Sequence, residues 1–186
     1  MGKSISKSVI SERSNISLNP FKSPKVSKTP TTPEDQKLMD LDIDIIPDVI
    51  LQHQKVRARV IDVYDGDTVT VVFFIGDVPV KYKIRLIGID TPEIRMAKGK
   101  MKIEKIAAKK CRDFLKALIQ DHIVDILIHR WDKYGGRLVG DVYMDLNTNI
   151  SNLMINNGYG VPYDGGTKHK WTRGELNKII NIITGI

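Results

Sequence analysis

Three short clusters in this chain carry residue types that phosphodiester hydrolysis needs: Asp65-Gly66-Asp67-Thr68, the run from Arg85 to Asp90-Thr91-Pro92-Glu93, and Asp132-Lys133-Tyr134-Gly135-Gly136-Arg137. Carboxylates in tight turns can hold a hard cation, and two guanidinium groups can grip a phosphate in planar, bidentate geometry. Asp67 and Asp90 are the pair that would share the cation, with Ca²⁺ the ion such a site would take. Glu93, three positions past Asp90, would polarise a metal-ordered water as general base. Arg85 and Arg137 would hold the non-bridging oxygens and stabilise charge that builds in the in-line transition state. Lys133 and Tyr134, in the turn before Arg137, are assigned to substrate contact. Asp65 and Thr68 read as orienters of the ligands rather than ligands.

Each cluster alone has a simpler reading. An isolated Asp-Gly-Asp is usually a turn, and Asp-Thr-Pro-Glu usually connects a strand to a helix. Their joint occurrence with two arginines at compatible positions favours chemistry, because a barrel has no structural need for all five groups. Gly165-Gly166-Thr167-Lys168 lacks the strand, loop and helix context of a phosphate-cradling motif and reads as a turn. Trp131 and Trp171 read as packing residues.

The elements that must position these groups follow from periodicity. Val56–Val63, Thr68–Ile75 and Val80–Leu86 read as three strands joined by turns at Asp65-Gly66 and Gly76-Asp77. In the third strand Val80, Tyr82, Ile84 and Leu86 alternate with Lys81, Lys83 and Arg85, which places Arg85 on the face opposite the core. Residues 98–120 switch to helical spacing, with Ile103, Ile106, Ala107, Cys111, Phe114, Leu115 and Leu118 along one stripe. Two strands follow, Ile123–His129 and Leu138–Met144, then a short helix at Ile150–Asn156. A last helix, Arg173–Ile183, opens on a Thr172-x-x-Glu175 capping box and buries Leu176, Ile179, Ile180 and Ile183. The order predicts an α+β fold, mainly β: a five-stranded barrel of the OB type with about three packed helices.

At 186 residues the chain suits one domain and a tail. Residues 1–50 are rich in Ser, Lys, Pro and Thr with almost no paired apolar positions, too little apolar surface to offset ordering entropy. They read as a disordered arm, basic and then acidic, ahead of a folded domain at residues 51–186. Residues 51–186 hold 22 basic against 15 acidic groups, which accounts for the whole chain's +7 and points to a polyanionic partner. Cys111 is the only cysteine, so a disulfide framework and a Cys-rich zinc site are excluded. No apolar run is long enough to span a bilayer and no secretory signal follows Lys3 and Lys7, so an intracellular location is expected. Met1-Gly2-Lys3-Ser4-Ile5-Ser6 fits the N-myristoylation pattern, and an acyl group on Gly2 together with the basic arm would give weak membrane association.

The three clusters, in their order and near their spacing, resemble those of the staphylococcal nuclease (thermonuclease) family, over about residues 54–183. The resemblance implies an OB-fold, Ca²⁺-dependent endonuclease acting on DNA and RNA with little sequence preference and leaving 3′-phosphate ends. It places Asp67, Asp90 and the Thr91 carbonyl on the metal, Glu93 on the proposed base, and Arg85 and Arg137 on the phosphate clamps. The aromatic pair that stacks bases in secreted members has a counterpart in Tyr159 and Tyr163, of which Tyr163 is the better match. Single-stranded substrate and a monomeric protein are expected. The chain departs from the family at Gly135-Gly136, where one glycine is usual before the second arginine. The rival readings are a catalytically silent nuclease-like binding module, as in Tudor-staphylococcal-nuclease scaffolds, and a membrane-tethered adaptor; silent copies typically lose carboxylates or arginines, and this chain keeps both sets.

Overall fold

The computed structural model describes residues 32–42, 44, 49–95, 102–133 and 135–183. Gly2, Tyr134 and the first residues of the expected 98–120 helix lie outside this set. The chain divides into two units, Met1–Asp48 and Val49–Ile186.

In the first unit Pro33–Met39 forms a helix, α1, where the sequence composition predicts no regular element. Its start explains it. Thr32 and Asp35 make a reciprocal capping box and Pro33 stands at the first helical position. No residue of α1 is buried, so local capping is what defines it.

The second unit is built on β1 (Lys55–Val63), β2 (Thr68–Ile75), β3 (Val78–Leu86), β5 (Ile123–Trp131) and β6 (Leu138–Tyr143). They close into a barrel in the order β1-β2-β3-β6-β5, antiparallel except for the parallel β3–β6 pair. The expected five-stranded OB-type barrel is therefore present. β-Branched residues at alternate positions, Val60, Val69, Val71, Ile84, Ile126 and Ile128, point inward and are fully buried. Closure brings β5 and β6 so near that a Cβ on Gly140 would lie 2.5 Å from the Leu127 carbonyl oxygen. Only glycine fits there.

Three helices cover the barrel's unit: α2 (Lys102–Ile119), α3 (Ile150–Asn156) and α4 (Arg173–Ile180). α4 packs on α2 and keeps the expected Thr172–Glu175 capping box. Two details correct the sequence reading. Ile106, placed in the buried stripe of α2, is 56% exposed, whereas Glu104 and Ala108 are buried. Ile183, placed on the buried face of α4, lies beyond its end and is 94% exposed. A two-stranded sheet that periodicity does not announce, β4 (Ile89–Asp90) with β7 (Val161–Pro162), ties the chain after β3 to the segment before α4.

Candidate active site

The first cluster sits where β1 turns into β2. The backbone N–H of Asp67 donates to Asp65 Oδ1 at 3.2 Å, so the turn is closed by its own first carboxylate. Gly66 lets this turn lie flat on the rest of the site. A Cβ there would fall 2.8 Å from both Cys111 Cβ of α2 and Thr91 Oγ1. Gly66→Ala should consequently push the turn off α2, costing ~1–3 kcal/mol of stability. Urea unfolding of the variant measures it.

Pairing of β2 with β3 sets Thr68 opposite Arg85. Arg85 does face away from the hydrophobic core, as alternation predicts, yet it is only 9% exposed. The reason is that later segments cover it. Its guanidinium pairs with Asp67 Oδ2, approaches Asp90 Oδ1 at 3.7 Å and donates to the Ile89 carbonyl at 3.2 Å. The Tyr163 ring stands 5.6 Å from it, close enough for cation–π attraction.

Arg137 reaches the same place despite its double-glycine turn. Gly135 takes a positive φ of 73°, and Gly136 has open space around it. The turn is closed by Gly135 N–H to Asp132 O and Asp132 N–H to Arg137 O. The Asp132 carboxylate then accepts from Arg137 Nε and Nη2 at 3.0 and 2.8 Å, while Nη1 donates to Thr68 Oγ1 at 3.2 Å. Because Thr68 Oγ1 donates in turn to Asp67 Oδ1, the polar chain Asp132–Arg137–Thr68–Asp67–Arg85–Asp90 is continuous.

Asp90 is anchored from the far end of the sequence: His169 N–H donates to its Oδ2 at 3.0 Å. Its Oδ1 is buried with no hydrogen-bond partner. Burial holds the Asp90 carboxyl above its ordinary range, although the His169 N–H, Lys168 and Arg85 act in the opposite sense. Asp65 is pushed up to about 7 by burial first, then by the Asp67 carboxylate, with a further contribution from Glu93. Negative charge is therefore crowded here beyond what the surroundings neutralise.

Glu93 is partly exposed, with its backbone N–H 3.4 Å from the buried Glu104 Oε1 and its side chain paired with Lys168. Arg85, Arg137, Lys133, Tyr163 and Lys168 all line one cleft of about 650 Å³, and Arg130 joins them. Arg130 follows a bulge in β5, where the pairing with β6 skips His129, whose ring is held by Asp141 at 2.8 Å. Tyr159, the other aromatic of the expected pair, is instead buried and stacked on Phe114 at 4.0 Å. Thr91 is buried beside Gly66.

Residues matching the pattern of the family described as staphylococcal nuclease homologue run from 83 to 179, more than half of the chain and all of the site except its first cluster. The chain belongs to the staphylococcal nuclease family. Family relatives include an Escherichia coli protein named uncharacterized endonuclease, 29% identical over 109 residues, which are 59% of this chain and 62% of that protein. A rice protein named probable staphylococcal-like nuclease CAN2 is 38% identical over 79 residues, 42% of this chain and 18% of its own length. The Arabidopsis thaliana staphylococcal-like nuclease CAN1 is 31% identical over 83 residues, 45% and 22% of the two lengths. The chain thus spans under two thirds of the E. coli relative and about a fifth of the plant ones.

Four members of the site escaped sequence reasoning: Arg130, Glu104, Lys168 and His169. Lys168 and His169 stand more than 70 positions after Glu93 and Asp90 in a segment that reads as a turn. The β4–β7 pair delivers them, and a two-residue strand leaves no periodic signal.

Proposed function

We propose that this protein is a Ca²⁺-dependent endonuclease that hydrolyses DNA and RNA with little sequence preference and leaves 3′-phosphate ends. The observation that carries the reading is that Arg85, paired with Asp67 and Asp90, and Arg137, tied to Asp67 through Thr68, line one cationic cleft together with Lys168, the partner of Glu93. Chain segments as distant as the β1–β2 turn and the turn after β5 supply them.

The donor set suits a hard cation. It consists of carboxylate and carbonyl oxygens, and the one nearby thiol, Cys111, is buried and pushed up in pKa, so it stays protonated. Asp90 Oδ1, buried without a hydrogen bond and only approached by Arg85, is the sort of atom such an ion satisfies. No three His, Cys, Asp or Glu side chains among the described residues form a ready-made cage; the proposed ligands are two direct carboxylates, Asp67 and Asp90, and the Thr91 carbonyl. When bound, Ca²⁺ would polarise the phosphate and a water.

The chain's own groups do the rest. Glu93 takes the proton from the attacking water at its carboxylate. Arg85, fixed by Asp67 and the Ile89 carbonyl, and Arg137, fixed by Asp132 and Thr68, present guanidinium edges to the phosphate and need no reorganisation as charge builds. Lys133 and Arg130 extend the cationic wall along the backbone of the substrate, and Tyr163 offers a ring for stacking a base. Phosphate contacts and stacking are blind to sequence, and stacking needs an unpaired base, so single strands are favoured.

All of these residues lie in 51–186; the 1–50 arm, with any acyl group on Gly2, is assigned to localisation and not turnover. No helix among the described residues is long and apolar enough to cross a membrane. The domain acts as a monomer.

A plasmid-nicking assay tests the reading. Supercoiled DNA should be nicked in Ca²⁺ and left intact in excess EDTA, with Mg²⁺ supporting binding but little turnover because of its stricter octahedral demand. Full nicking in EDTA would exclude the assignment.

A further inference from the structure

Lys168 lines the cleft and, like Arg85, turns its charge to a carboxylate of the site. Its ammonium pairs with Glu93 Oε1. Although burial weakens its hold on a proton, the Glu93 bond and the Asp67 and Asp90 carboxylates outweigh that and keep it above its ordinary pKa. Its position is not left to a floppy loop: the next residue's N–H is bonded to Asp90 Oδ2, the His169 ring is 3.0 Å from Glu175 Oε1, and Glu175 is locked in the α4 capping box. Lys168 therefore meets Glu93 from a backbone that is itself fastened to Asp90.

We propose that Lys168 is an internal counter-cation of the Asp67, Asp90 and Glu93 carboxylates, which holds Glu93 in place when no divalent ion is bound and competes with that ion for them. The physical ground is elementary. A fixed ammonium among carboxylates lowers their negative potential, so every divalent ion that enters must do so against its repulsion. The same ion pair fastens Glu93 to the segment before α4, which His169 in turn fastens to Asp90, and so steadies the empty site. Lys168 acts through Glu93 and is a positioning residue, not a catalytic one.

The proposal takes its ligand set from the nuclease reading, but its test is made without substrate. Ca²⁺ binding to the full-length protein is measured by titration calorimetry for wild type, Lys168→Met and Lys168→Arg. Lys168→Met keeps the aliphatic stem and loses the charge, and should bind Ca²⁺ about tenfold or more tightly, as expected for removing one nearby like charge at an effective dielectric near 20. Lys168→Arg keeps the charge and should match wild type within about threefold on the same ground. Melting temperatures separate this role from a merely structural ion pair: Lys168→Met should melt lower than wild type in EDTA and recover in saturating Ca²⁺. The side chain is 53% exposed, so Lys168→Met folds; Lys168→Gln serves as a second neutral variant. Unchanged or weaker Ca²⁺ affinity in both neutral variants, or a melting loss that Ca²⁺ does not repair, overturns the proposal. Failure of wild type to nick DNA would remove the nuclease reading alone.

Discussion

Glu93→Gln should lower turnover by roughly 10²–10⁴-fold while leaving nucleic-acid affinity nearly unchanged. The two effects separate because different groups control them. An amide at position 93 keeps the volume of the carboxylate and a carbonyl oxygen for the Lys168 ammonium, and the backbone N–H facing Glu104 is untouched. What disappears is the proton acceptor. On the proposed function, affinity would reside in Arg85, Arg130, Lys133 and Arg137, which line the cleft independently of Glu93. Single-turnover cleavage of a labelled oligonucleotide in Ca²⁺, with binding measured in parallel, reads both quantities. A near-wild-type rate would reduce Glu93 to a scaffold residue and move the proton to solvent.

Asp90→Asn is expected to abolish Ca²⁺-dependent cleavage without lowering the melting temperature in EDTA. A buried carboxylate is normally costly to alter, but this one is held above its ordinary pKa by burial, so its ionised form opposes folding at neutral pH. Asparagine removes the charge and keeps an oxygen for the His169 N–H. The Arg85 guanidinium retains Asp67 and the Ile89 carbonyl, so no cation is stranded. Function and stability would thus move independently, as at sites where charge is concentrated for a ligand. A melting temperature several degrees below wild type in EDTA would mean that Asp90 is primarily structural.

Much of this was legible in the chain because local physics wrote it there. The alternation of Val80, Tyr82, Ile84 and Leu86 with Lys81, Lys83 and Arg85 requires a strand with two unlike faces, and the β2–β3 register keeps it. Thr172 and Glu175 mark the start of α4 because unsatisfied helix N–H groups need such partners. The acid and arginine clusters pointed to the staphylococcal nuclease family through type, order and spacing together, and the chain belongs to that family. Where two readings were locally equal, the sequence could not choose: Ile106 lies within the apolar stripe of α2 by spacing, yet it is exposed. Tyr163 is the better match of the aromatic pair by sequence, but that Tyr159 is drawn inward onto Phe114 is a matter of packing.

By itself, then, the sequence determined the barrel, the three helices packed with it and the identity of the acids and arginines, since each depends on neighbours a few positions apart. Tertiary structure alone decided that Arg85 is buried between Asp67 and Asp90, that Arg137 passes its hold through Thr68, and that Lys168 meets Glu93 across 75 positions. These contacts follow from barrel closure and the short β4–β7 pairing, whose stabilisation is non-local and leaves no periodic trace in the chain.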